Sequence, residues 1–241
     1  MNYIWHTFFF DPIYNALVFF IDVIPGGDVG LAIIATVLVV KTILLPVSIK
    51  AAKTQRIMKE LEPKLKEIKE KHKDDKQVQA QAMMQTYKDA GMNPFASIFL
   101  IFLQLPIIIA LYYSVSRGGG IPLPEINTDL LYFFVETPVR VTMDFLGMID
   151  ITGKSVLLAL GAGVTQFIYI NLSMPKLPPK EEGAEPSIKD DFMRNMQTQM
   201  RYVMPVLITF VAYSISAAIA LYFLVSNLTM IAQEFYVKKH R

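Results

Sequence analysis

The sequence predicts an all-α, polytopic membrane protein with five transmembrane helices and a charged helical hairpin on one side of the bilayer. Hydrophobic residues make up 53% of the 241 residues, charged residues only 18%, and mean hydropathy is +0.39; a soluble domain carries about 25% charge. Several apolar runs approach the length of about 20 residues that a helix needs to cross hydrocarbon about 30 Å thick. The 23 Lys and Arg are segregated along the chain, behind a net charge of only +2. The absence of Cys closes thiol catalysis, disulfide scaffolds and thiolate metal clusters.

Four regions are apolar enough to cross. Val29 to Ile49 is interrupted by Thr36, Lys41, Thr42 and Ser48, and Phe95 to Ser116 by Gln104 and serines. Val156 to Leu172 carries Thr165 and Gln166, and Tyr202 to Ala232 is too long for one straight span. Basic residues in short flanking segments mark the cytoplasmic side. Residues 1–28 hold none, 50–93 hold eleven, 117–153 two, 174–201 five and 233–241 three. A turn near Ser214 to Ala217 puts every basic block on one side. The spans are then 29–49, 94–116, 154–173, 200–215 and 216–236, with the N-terminus outside, the C-terminus cytoplasmic and residues 237–241 a short basic end.

Residues 1–28 are rich in aromatics but broken by Asp11, Pro12 and Asp22. They lack the basic start and small-residue cleavage site of a signal peptide. Ile13, Leu17, Phe20, Ile21 and Ile24 fall at helical spacing, which predicts a helix lying on the outer surface.

Residues 50–93 read as a cytoplasmic helical hairpin. Ile57, Leu61, Leu65 and Ile68 stripe its first arm, which Pro63 bends, and Glu60 with Lys64, Glu62 with Lys66 and Glu67 with Lys71 are helix-supporting pairs. Asp74 with Gln77 is the expected cap of the second arm, striped by Val78, Ala82, Met83 and Tyr87; Gly91 before Pro94 stops it. The hairpin is either a solvated linker or a docking arm for RNA-rich or anionic partners. Residues 117–153 form an outer loop whose apolar stretches, Leu130 to Val135 and Val141 to Leu146, rest on the membrane. Residues 174–199 form a Pro-rich cytoplasmic loop.

No Asp, Glu or His falls within the four apolar runs, and His6, His72 and His240 all lie outside them. An intramembrane aspartyl pair or Ser/His dyad is therefore excluded, as is a Walker-type phosphate loop. No metal or cofactor is expected, and no enzymatic activity. Lys41 is the one charge inside the four apolar runs, about 18 Å from the outer end of the first. At a helix centre a lysine facing lipid costs about 2.5–3.5 kcal/mol. Either its stem snorkels to the cytoplasmic head groups, or it faces a water-filled cavity open to the cytoplasm. Gln104, Thr165, Gln166, Ser214, Ser216, Asn227 and Thr229 either line that cavity or bond helix to helix.

Three stretches occur in a telling order: Leu45-Pro46 leading to Leu61-Glu62-Pro63-Lys64; Asn93-Pro94 through Gln104-Leu105-Pro106-Ile107 to Ala110-Leu111-Tyr112-Tyr113; and Met204-Pro205 followed by Leu221-Tyr222-Phe223-Leu224-Val225-Ser226-Asn227-Leu228. With them, nearly the whole chain resembles the YidC-type membrane protein insertases of the YidC/Oxa/Alb family, in a short form without a large outer domain. The resemblance implies a bacterial plasma-membrane insertase and chaperone with a hydrophilic groove open to cytoplasm and lipid, working without ATP or covalent catalysis. Lys41 matches the position of the family's groove arginine. Gln104, Leu105, Ile108 and Tyr112 of the second span and Tyr222 and Leu224 of the last would lie along the client's path, with Gln166 and Asn227 joining Lys41 in the groove lining. Nascent membrane proteins are the implied clients. The ribosome would be met through hairpin, loop and basic end, with a Sec-type translocon a further partner beside the lipid bilayer. The alternative is a small polar-solute transporter or channel, although no internal repeat of the transporter kind is found.

Overall fold

Long apolar runs in hydrocarbon leave the backbone no partner but itself, and helix accordingly dominates. The structure is a computed structural model that describes residues 2–91, 96–174 and 188–239. The chain divides into two units, Met1–Ile43 with Leu105–Ala232, and Leu44–Gln104 with Gln233–Arg241. Among the described residues, Tyr3–Val23, Val29–Thr54, Val156–Ser173 and Ala217–Lys239 are long and apolar enough to cross a membrane; Phe102–Ser116 is a shorter apolar helix.

The first unit opens with α1 (Asn2–Trp5), which passes through a π-helical stretch, His6–Phe10, into α2 (Asp11–Val23). Pro12, which has no backbone N–H to donate, stands where the π-helical stretch hands over to α2 and the regular ladder is already interrupted. Ile13, Tyr14, Leu17, Val18 and Ile21 are buried along one face. The chain leaves α2 through Gly26 and Gly27, at φ +85° and +64°. At Gly27 a Cβ would also collide with the Arg140 carbonyl, so the turn admits only glycine. There Thr142 N–H donates to Gly27 O at 2.8 Å and Val29 N–H to Thr142 O at 3.0 Å. Asp28 caps α3 (Val29–Glu60), one carboxylate oxygen accepting from Leu31 N–H at 3.0 Å and the other from Leu146 N–H at 2.7 Å.

Residues 117–153 are largely loop, yet they contain a short antiparallel pair that the all-helical expectation lacked. β1 (Asp144–Phe145) pairs with β2 (Ile149–Asp150), Asp144 opposite Asp150. Gly147, at φ +69°, makes the tight reversal between them. The loop is latched to α2: Asn15 Nδ2 donates to Leu130 O at 2.9 Å, Asn15 Oδ1 accepts from Tyr132 N–H at 2.6 Å, and the Tyr14 hydroxyl accepts from Asn127 N–H at 2.9 Å.

Ser155 caps α7 (Val156–Ser173), which packs along α8 (Ile188–Ile215). Helix thus already begins at Ile188, where the sequence reading placed loop to residue 199; residues 175–187 lie outside the described residues. Asp190 and Asp191 suit a helix N-terminus, and Ile188, Phe192, Met196 and Met200 carry a helical period into the span. The chain breaks at Ser216, whose hydroxyl accepts from Ile219 N–H at 3.4 Å as α9 (Ala217–Lys239) begins.

In the second unit α3 continues through Pro46 to Glu60, so residues 50–60 extend the first apolar helix instead of starting a separate arm. The chain kinks at Leu61 and Pro63 falls in the first turn of α4 (Glu62–Lys71). α4 packs on α5 (Lys76–Asp89), with Leu65 and Thr86 buried. Asp75, not Asp74, is the cap: its extended backbone aims its carboxylate at Gln77 and Val78 N–H, both at 3.0 Å. Val78, expected on the apolar stripe, is exposed. Glu67 and Lys71 form no ion pair; exposed pairs of this kind gain little over solvation. Gly91 ends the arm at φ +65°. Asn93 and Pro94 lie outside the described residues. Ser48 of α3 donates to Gln233 Oε1 of α9 at 2.7 Å.

Candidate functional site

The first half of α3 is packed on one face, with Val29, Ala32, Ile33, Thr36 and Val37 all buried. Thr36 and Thr42 spend their hydroxyls on their own helix, donating to Ala32 O at 2.8 Å and Leu38 O at 2.7 Å. Beyond Val37 the helix exposes Leu38, Val39 and Ile43. Lys41 follows Ile33 and Val37 at intervals of four, so its half-buried side chain prolongs the packed stripe and not the exposed one.

On α6 (Ala96–Ser116), Leu105 lies with Phe102 and Ile109 on an exposed apolar stripe, while Ile107, Ala110, Leu111 and Ser114 face inward. Ile108 and Tyr112 are half-buried between the two. Gln104, also half-buried, belongs to the second unit, whereas the other eight expected site residues belong to the first.

On α7 and α9 the expected residues fall into two groups. Gln166 and Leu224 are half-buried. Tyr222 and Asn227 are buried to 1% exposure. Asn227 Nδ2 donates to Ala162 O at 3.0 Å and Thr165 Oγ1 at 3.3 Å, an interhelical tie in which Thr165 itself donates to Gly161 O at 2.8 Å. Leu224 lies over Gly161. The hydrogen bonds of Asn227 thus hold helix to helix, the second of the two roles open to it in the sequence.

Sequence reasoning missed the seam that positions these helices. Gly163 faces α8 so closely that a Cβ would collide with the Thr209 hydroxyl, and Pro205 O would lie 3.2 Å from it. The signal was the Gly161-Ala162-Gly163 run, small residues that let helices approach in a membrane. Among the described residues no three His, Asp or Glu gather as a metal site.

A family model described as 60Kd inner membrane protein matches residues 20–241. A Bacillus anthracis protein named membrane protein insertase YidC 2 is 30% identical over 239 residues, covering 98% of this chain and 81% of its own length. The chain belongs to the YidC-type insertase family. Further YidC relatives include those of Oceanobacillus iheyensis, 30% identical across 98% of this chain and 84% of theirs, and Clostridium tetani, 29% identical across 89% of this chain and 84% of theirs. Family membership and the apolar helices together make the chain a multi-pass bacterial membrane protein of the YidC type.

Proposed function

We propose that the chain is a YidC-type insertase and chaperone that admits a polar client segment into a groove beside Lys41 and releases the client's apolar helix into lipid, without ATP or a covalent intermediate. The observation that carries the reading is Lys41 itself, the one charge in the first span, on the continuation of a protein-facing stripe. Its field, acting between low-dielectric walls, attracts acidic residues of an incoming tail. Leu105 with Ile109 forms the apolar slide, flanked by Ile108 and Tyr112 and completed by Leu224 and Gln166. Tyr222 and Asn227 support the groove from behind. Five helices cross, α3, α6, α7, α8 and α9, with the N-terminus outside and the C-terminus cytoplasmic. Tyr3–Val23 as a whole is long and apolar enough to cross, but the latches of α2 to residues 127–132 favour a position beside the outer loop. The hairpin and basic end meet the ribosome, and a Sec-type translocon is a further partner.

Purified protein in liposomes should raise the protease-protected fraction of a small single-span client. Solute flux without client insertion would replace this reading with that of a polar-solute channel.

A further inference from the structure

Where the N-terminal helix meets the end of α6, the first unit holds an open bowl of about 430 Å³, lined by Trp5, His6, Tyr113, Ser116, Arg117 and Gly119 among others. Arg117 is its basic wall. The guanidinium lies over the Tyr113 ring, 5.1 Å from the centroid. No described carboxylate forms an ion pair with it. His6 is held by Asp11, with Nδ1 donating to Oδ1 at 2.8 Å, and by the edge of Phe10. The Ser116 hydroxyl is buried and makes no hydrogen bond among the described residues. A buried hydroxyl without a partner costs free energy, so a polar group brought by a ligand would relieve it. The other walls are apolar rings, Trp5 stacking on Phe10 and Phe10 on Tyr14.

A cation, an unpartnered hydroxyl and flat aromatic walls at the end of a membrane-spanning helix suit an anion that carries a greasy body. We propose that this bowl binds the phosphate of an anionic phospholipid headgroup, Arg117 supplying charge, Ser116 a hydrogen bond, and Trp5 and Tyr113 the walls beside the glycerol. A free phosphate shares the anionic chemistry but gains nothing from those rings, which settle at headgroup depth. The proposal rests on the membrane reading above but does not depend on client insertion, so its test reads no insertion.

Trp5 is the chain's single tryptophan, which makes its fluorescence a reporter inside the bowl. The full chain is reconstituted in phosphatidylcholine vesicles carrying brominated phosphatidylglycerol or, separately, brominated phosphatidylcholine. Quenching should saturate at about fivefold lower mole fraction with the anionic lipid, the factor that one cation gives near an anionic surface. Arg117→Gln should lose that preference, while Arg117→Lys and Arg140→Gln keep most of it. Equal quenching by both lipids in the parent chain would overturn the proposal, as would equal loss in Arg140→Gln or Arg117→Lys. Removal of the preference by millimolar inorganic phosphate would overturn the lipid assignment in favour of free phosphate.

Discussion

A single ammonium in an apolar helix has effects out of proportion to its size. At an effective dielectric of about 20, a unit charge about 10 Å from an acidic client residue is worth about 1.7 kcal/mol, more than tenfold in occupancy. Lys41→Leu should therefore cut insertion of clients with acidic outer tails about tenfold while sparing neutral-tailed ones, and Lys41→Arg should be tolerated. Protease-protected client in reconstituted vesicles measures this; equal insertion by Lys41→Leu across both classes would remove the lysine from the mechanism. Asn227 works through geometry instead, tying α9 to Ala162 and Thr165. Asn227→Ala should cost about 0.6–1.7 kcal/mol, read as a lowered unfolding midpoint in detergent, with Ala162 and Thr165 keeping their bonds within α7. Lys41 was legible in the sequence because a charge in such a run has few explanations. Asn227 was legible only as polar, because groove lining and helix tie use the same side chain.

Between helices, close approach decides. Because Gly163 meets Thr209 with no room for a methyl, Gly163→Ala should force α7 from α8 and destabilise the chain by about 1–3 kcal/mol. Thr209→Ala in the same chain should recover part of that loss, and a double-mutant cycle in thermal unfolding reads the coupling. Simple additivity of the two changes would show that the helices do not touch there. The seam escaped sequence reading because a glycine in an apolar helix looks the same whether it faces lipid or a neighbour. The hairpin was clearer, since Gly91 and its charged faces are local signals. The choice of Asp75 over Asp74 was not, because it depends on a backbone conformation that adjacent, chemically identical residues do not announce.

Over the whole molecule, the membrane class was written in hydropathy and in the placement of Lys and Arg, both sums over many residues and so robust to any one of them. The short β pair and the latch on α2 were not, since their partners lie far along the chain. The proposed orientation makes a direct prediction. In a chain without native Cys, Asn127→Cys should react with an impermeant thiol reagent in intact cells and Gly183→Cys only after the inner face is opened. Labelling of Gly183→Cys from outside would reject five crossings. The latch also has a consequence in time. Asn15 and Leu130 are 115 residues apart, and at a synthesis rate of about 5–20 residues per second the second arrives about 6–23 s after the first. Until then the amide of Asn15 has, of these two partners, only Asp11 O in its own turn. The contact thus closes late in the chain's own synthesis, after an interval set by the distance along the chain between its two halves.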